Sequence, residues 1–292
     1  MGIDSPFGQM MSTYFGNFDM ACFAANAAIQ NDVLTVIAKF FSACGNTLFW
    51  FICCVFALVL ILFKRTRKAG FLIGCAVVIT AIVSTYLLNP MFGRLRPYNA
   101  LQGNAEYFSW YLSVGGIGES EYSFPSKHAA VMFAVATALF VYVRFELKKK
   151  RAWLLFVVAI LVTWSRNYLM VHYATDLIAG AIFGILVGFL SLGIYNLIMK
   201  FVNKNLKQEQ KWDLEIIFKK KFGHPINTQK AALLICVFIP LIITGICFFK
   251  DSMPQQKCEY NGRDYICCNK ADKKVHIEGT DTDEYRCKLH EK

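Results

Sequence analysis

Long stretches of this chain carry no charge at all. Only 17% of its 292 residues are Asp, Glu, Lys or Arg, while 56% are hydrophobic and 15% aromatic. A soluble domain of this length breaks its apolar runs with charges every few residues, so the composition excludes an ordinary soluble class. The opening stretch, Met1 to Phe18, contains Asp4 but no basic region followed by an apolar core. A cleavable signal is therefore not expected, and insertion is expected to rest on internal spans. No period-two alternation runs through the apolar stretches, which argues against a transmembrane barrel. Internal repeats, low-complexity tracts and a cluster of carboxylates are also missing.

What is present is a set of six apolar segments, roughly Thr47 to Phe63, Phe71 to Leu88, Ala129 to Val143, Trp153 to Leu169, Leu177 to Met199 and Ala231 to Phe249. Each is a candidate to cross about 30 Å of hydrocarbon as a helix. In lipid every backbone amide needs an internal partner, so the expected fold is an all-α, polytopic membrane helix bundle with about six transmembrane helices. The formal net charge of +11 sits in clusters between the spans rather than along one face, so no nucleic-acid partner is expected. Lys64, Arg65, Arg67 and Lys68 follow the first span, and Arg144, Lys148, Lys149, Lys150 and Arg151 follow the third. The lysines of the 200–230 loop agree. Basic loops stay cytoplasmic, which puts Asn89 to Pro125, Val171 to Thr175 and everything after Lys250 on the outer face.

Three regions follow: an exterior N-terminal segment (1–45), a transmembrane domain (46–250) and an exterior tail (251–292). In the first, Val33, Leu34, Ile37, Phe40 and Phe41 recur at helical spacing and predict an amphipathic helix in the interface. The tail is polar and holds Cys258, Cys267, Cys268 and Cys287. Outward cysteines in a segment too small for its own core are expected to form disulfides. A zinc site with His276 or His290 is the weaker alternative, because no paired metal-ligand spacing occurs. Cys22 and Cys44 are a further candidate pair.

The outer stretches concentrate an unusual set of polar groups: Arg94, Arg96 and Pro97 after span two, Ser126, Lys127 and His128 opening span three, and Ser165, Arg166, His172 and Asp176 around the turn between spans four and five. Ionisable side chains near bilayer depth are costly unless paired or solvated, so they mark a site. His172 and Asp176 stand four apart, which lets the carboxylate orient the imidazole and leave its other nitrogen free for attack. Taken alone, the pair also reads as an interfacial histidine beside a helix-starting aspartate. His128 lies at a helix N-terminus, where unpaired amides and the dipole favour an anion. Ser126 is also a plausible N-cap. Arg96 and Arg166 supply planar forks suited to phosphate oxygens; Arg94 serves equally well as a cation reaching the headgroup region.

This pattern resembles the type 2 phosphatidic acid phosphatase superfamily, whose three motifs occur in order. The third, serine-arginine, five residues, histidine, three residues, aspartate, is complete in Ser165, Arg166, His172 and Asp176. The second, usually proline-serine-glycine-histidine, is Pro125, Ser126, Lys127 and His128. In the first, Arg96 and Pro97 stand, but Asn89 replaces the usual lysine. The resemblance runs from about Thr47 to Phe249. It implies that His172 is a nucleophile forming a phosphohistidine, Asp176 its orienting partner and His128 the general acid, with Arg96, Ser126 and Arg166 binding phosphate. It implies no metal or other cofactor.

Arg94 and Lys127 are candidates to restore the charge lost at Asn89, with Lys127 reaching the distal phosphate of a diphosphate. The expected activity is hydrolysis of a membrane lipid phosphate, such as phosphatidic acid, phosphatidylglycerol phosphate or undecaprenyl diphosphate. The expected setting is a plasma (inner) membrane, with the site on the periplasmic, extracellular or lumenal face. Alternatives are a phosphotransferase that passes the phosphate to a lipid or sugar hydroxyl, and a non-catalytic lipid-phosphate binder.

Overall fold

In the computed structural model the described residues are 4–205, apart from 64 and 120, and four short strands in the tail. Every secondary-structure element within 4–205 is helical. Helix α1 (Pro6–Ala27) begins with Pro6 in its first turn, and the Ser5 side chain caps it by accepting from Gly8 N. That pairing satisfies one of the amides a helix start leaves without a partner. α2 (Asp32–Ala43) is capped in the same way by Asn31, which accepts from Leu34 N. It lies where the apolar spacing of Val33 to Phe41 placed a helix; the longer α1 before it carries no such signal, because small and apolar residues surround most of its circumference.

α3 (Thr47–Ile61) and α4 (Arg67–Ile82) form an apolar hairpin. α4 continues through a wider helical turn, Val83–Leu88, into α5 (Asn89–Phe92), which ends at Gly93. The left-handed conformation there, φ +58°, suits a residue without Cβ. Two short helices follow, α6 (Pro97–Ala100) and α7 (Ala105–Ser113), then α8 (Lys127–Val141), α9 (Leu154–Tyr168) and α10 (Ala174–Asn205).

Three helical stretches are long and apolar enough to span a bilayer: Arg67–Ala100, Lys127–Glu146 and Ala174–Phe201. α2 and α3, bent by 49°, make a fourth only if taken as one broken span. At 15 residues each, α3 and α9 rise only about 22 Å, short of the roughly 30 Å hydrocarbon layer. The six expected segments thus divide into three full spans, one segment that needs α2, and one short helix, α9, that leaves Leu154, Val158 and Ile160 exposed; the sixth, Ala231 to Phe249, lies outside the described residues.

α8 and α10 form the closest helix pair. Gly180, Gly184 and Gly188 recur every fourth residue on α10, and a Cβ on them would run into Ser126, Ala130 and Thr137 respectively. The stripe therefore lets two backbones approach closely. At the end of the pair remote from Ser126, Lys68 is ion-paired with Glu146 and lies 4.7 Å from the Tyr195 ring. The basic clusters beginning at Arg65 and Lys148 thus share the end of the bundle opposite the starts of α8 and α10.

In the tail, β1 (Lys257–Tyr260) pairs antiparallel with β2 (Arg263–Ile266), and β3 (Lys273–His276) with β4 (Asp283–Arg286). The helical reading therefore holds for the bundle and not for the tail. Cys267, Cys268 and Cys287 lie outside the described residues, as do the side chains of the strands, including Cys258. The Cys22–Cys44 pair does not form: the Cys22 thiol is free, and Cys44 donates to Phe40 O within its own helix.

Candidate active site

The site forms where the ends of α5 and α9 meet the starts of α8 and α10. Ser126 N donates to Asp176 O at 3.1 Å, which joins the second and third sequence motifs through the backbone. Between α9 and α10 the chain turns through Leu169, Met170, Val171, His172 and Tyr173, all buried. Met170 has φ +60°, a left-handed conformation unfavourable for a residue with a side chain. The buried Tyr107 hydroxyl holds it by donating to Met170 O at 2.5 Å. Phe23, Tyr98, Tyr107, Tyr111 and Tyr168 pack beneath this turn as an aromatic platform, so the imidazole of His172 is presented by a rigid loop.

His172 is 1% exposed. Its Nε2 lies 3.0 Å from Arg96 Nη1, and its Nδ1 lies 3.3 Å from Ser123 Oγ and 3.6 Å from Asp176 Oδ2. A guanidinium nitrogen can only donate, so Nε2 bears the lone pair and Nδ1 the proton. Burial first, then the positive charges of Arg96 and Arg166, hold this imidazole well below its ordinary value, so it is neutral at pH 7. The Asp176 carboxylate is fixed on all sides: Oδ1 accepts from Arg94 Nη1 at 2.6 Å, and Oδ2 accepts from the Ser123 hydroxyl and from Tyr173 N at 3.3 Å.

Arg96 and Arg166, 2% and 1% exposed, converge on one carboxylate. Glu119 lies 2.6 Å from Arg96 Nη2 and is also ion-paired with Arg166 Nη2. Burial alone would raise Glu119, but the two guanidiniums, Arg166 foremost, outweigh it and hold the carboxyl well below the usual carboxylate range. Two residues on, Glu121 is ion-paired with Lys127. One loop thus places two carboxylates on the cations that the motifs supply. Ser126 Oγ, His128 Nε2 and Arg166 Nε are buried and have no hydrogen-bond partner among the described residues. His128 lies within electrostatic reach of Arg166, Glu119, His172 and Arg96. A Cβ on Gly45, between α2 and α3, would collide with its ring.

The structure thus brings His172, Asp176, Arg96, Arg166, Ser126, Lys127 and His128 to one end of the bundle. Arg94 is there too, with its guanidinium engaged by protein groups: it is fully buried, bridges Asp176 and Asp19, and lies 3.8 Å from the Tyr173 ring. Asn89, at the expected lysine position, donates to Tyr122 O and so tethers the acidic loop. Sequence reasoning missed Ser123, Glu119, Glu121, Asp19 and Ser42, the last an α2 hydroxyl that accepts from Arg166 Nη1. Asp19 had a signal, being the one charge on a 22-residue helix. Glu119 and Glu121 had a weaker one, as acids between two basic motifs. No group of three or more His, Cys, Asp or Glu suited to a metal ion occurs among the described residues.

Residues 69–200 match the family model of the PAP2 superfamily. A bacitracin transport permease protein BcrC from Bacillus licheniformis is 32% identical over 164 residues, 54% of this chain and 68% of that protein. This chain belongs to the PAP2 superfamily. An undecaprenyl-diphosphatase from Sulfolobus acidocaldarius is 35% identical over 137 residues, 47% of this chain and 60% of that protein. A lipid A 4'-phosphatase from Porphyromonas gingivalis is 29% identical over 150 residues, 50% of this chain and 61% of that protein. The matches therefore span about 60% of the length of these two curated relatives. A transmembrane PAP2-type phosphatidylglycerolphosphate phosphatase from Bacillus subtilis shares the fold, with a TM-score of 0.52 at 23% identity over 66% of this chain and 92% of that one. Membrane-spanning helices and PAP2 membership together make this an integral membrane protein.

Proposed function

We propose that this PAP2 protein hydrolyses a phosphate ester or diphosphate of a membrane lipid through a covalent intermediate on His172. The observation that carries the reading is the state of His172: a neutral imidazole whose Nε2 lone pair faces the Arg96 guanidinium, with Asp176 beside the protonated Nδ1. A phosphoryl group taking the place of Glu119 would lie between Arg96 and Arg166, whose charge matches that spread over the equatorial oxygens in the transition state.

Nε2 then bonds to phosphorus as the bond to the leaving lipid oxygen breaks. His128 gives that oxygen a proton, and Asp176 stabilises the cationic ring formed by the attack. In the second half-reaction water attacks the phosphorus, His128 takes its proton, the N–P bond breaks and inorganic phosphate leaves. Within this scheme Arg94 orients Asp176 and does not bind phosphate.

A diphosphate is the favoured substrate. Glu119 occupies one cationic position and Glu121 a second, at Lys127, which matches two linked phosphates better than one, and one relative is an undecaprenyl-diphosphatase. The basic loops at the opposite end of the bundle support a site on the outer face, whether periplasmic, extracellular or lumenal, with a plasma membrane the favoured setting. The test is phosphate release from purified protein across polyprenyl diphosphates, phosphatidic acid and phosphatidylglycerol phosphate. His172→Ala and His128→Ala are both expected to lose turnover; turnover retained by His172→Ala would reject the mechanism.

A further inference from the structure

Two lines of polar contacts lead from the His172 turn into α1, which precedes the stretch matching the family. In one, Asn26 Nδ2 donates to Asn167 Oδ1 at 2.7 Å, and Asn167 Nδ2 donates to His172 O at 3.0 Å. In the other, Asp19, 1% exposed, accepts from Arg94 Nη2 at 3.0 Å, from Thr175 N at 2.9 Å and from Thr175 Oγ1 at 2.8 Å. Thr175 N belongs to the first turn of α10, where no helical carbonyl reaches it, so Asp19 serves as a cap supplied by another helix. The Thr175 hydroxyl also accepts from Arg94 Nη1 at 2.8 Å. A carboxylate is costly to bury without partners, and each partner Asp19 has leads to Asp176.

We propose that Asp19 is a positioning residue of the active site: by capping the start of α10 and sharing the Arg94 guanidinium with Asp176, it sets where the Asp176 carboxylate stands relative to His172 Nδ1. The 3.6 Å separation of Nδ1 and Oδ2 is longer than a hydrogen bond. A small displacement of Asp176 therefore decides whether the carboxylate closes on the ring as it becomes cationic. α1 is thereby part of the catalytic unit rather than a separate exterior segment. The inference rests on His172 being the nucleophile.

The test uses the full chain in detergent micelles and follows phosphate release from farnesyl diphosphate and dioctanoyl phosphatidic acid. Asp19→Asn should lower kcat about tenfold or more with KM within about threefold, the scale seen when a group that orients a catalytic ligand is lost. It removes one negative charge from beside Arg94, the partner of Asp176, and so from the charged set around His172 formed by Asp19, Asp176, Glu119, Arg94, Arg96, Arg166 and His128. The acid limb of kcat/KM should therefore move to lower pH.

In an Arg94→Gln background, Asp19→Asn should cost less than about twofold, because the route through Arg94 is already cut. If Asp19→Asn does not fold, Thr175→Val, which keeps every charge, must lower kcat about threefold or more. Wild-type kcat and pH profile in Asp19→Asn, an effect on KM alone, full additivity with Arg94→Gln, or wild-type kcat in Thr175→Val would each overturn the proposal. An inactive His172→Ala beside a fully active Asp19→Asn rejects this inference alone, whereas an active His172→Ala rejects the function beneath it.

Discussion

Replacing Glu119 with Gln separates two effects that act on the same pair of arginines. As a carboxylate on Arg96 and Arg166, Glu119 stands where the proposed substrate phosphate must go, so any incoming anion has to displace it. A hydrogen bond to a charged partner contributes about 1.5–3 kcal/mol, and two arginines are engaged, but Glu119 is 25% exposed and its displaced carboxylate regains water. A net gain of about 1.5–3 kcal/mol for the incoming anion in Glu119→Gln corresponds to roughly 10- to 100-fold tighter binding. The assay is competitive inhibition of phosphate release by orthovanadate, which mimics pentacoordinate phosphorus.

The same substitution leaves two nearly buried guanidiniums without their counter-ion, a loss that typically costs about 3–5 kcal/mol when a buried pair is broken. Without added anion the variant should therefore melt earlier than wild type, and inorganic phosphate should raise its Tm more than that of the parent. An unchanged vanadate inhibition constant, or equal protection of both proteins by phosphate, would refute the claim that Glu119 and substrate compete for one site.

Four further outcomes follow from the geometry. Because His172 is held neutral below the ordinary imidazole value, the acid limb of kcat/KM should lie below about pH 6.5, measured with the free enzyme; a limb at or above that value contradicts the assignment. The unfolded chain takes up a proton on His172 near pH 6.5 and on Glu119 near pH 4.3, whereas the folded protein resists both. Stability should accordingly be greatest above about pH 6.5 and fall as the solution is acidified, which thermal melts across pH will show. Gly45→Ala would push a methyl group into the His128 ring and should lower kcat about tenfold or more, with KM little changed. Lys127→Ala should raise KM for a polyprenyl diphosphate about tenfold and for a lipid monophosphate much less; equal effects on both would remove the case for a diphosphate.

Much of the site was legible in the sequence because its chemistry is carried by residues rare in apolar surroundings. An arginine or histidine at the end of a 15-residue hydrophobic run must be paired or functional, and the spacing of Arg166, His172 and Asp176 has few other readings. What escaped were the partners that do not belong to a motif. Ser123 and Ser42 are ordinary hydroxyls in a chain with many; only the folded protein shows Ser123 donating to Asp176 and Ser42 accepting from Arg166. Arg94 reads in sequence as a phosphate-binding cation, yet its guanidinium is taken up by Asp19 and Asp176, a pairing across 75 and 82 residues that no local pattern encodes.

By itself the sequence determined that this chain is a bundle of apolar helices in a membrane, and it marked the residues that the fold gathers at one end of that bundle. Both follow from the free energy of placing charges and backbone amides in hydrocarbon, which a linear pattern records directly. Tertiary structure alone decided how the charges are shared: Arg96 and Arg166 on Glu119, and Arg94 between Asp176 and the Asp19 of α1. Those choices depend on distances of about 3 Å between residues remote in sequence, set by the glycine-lined contact of α8 with α10 and by the aromatic platform under the His172 turn.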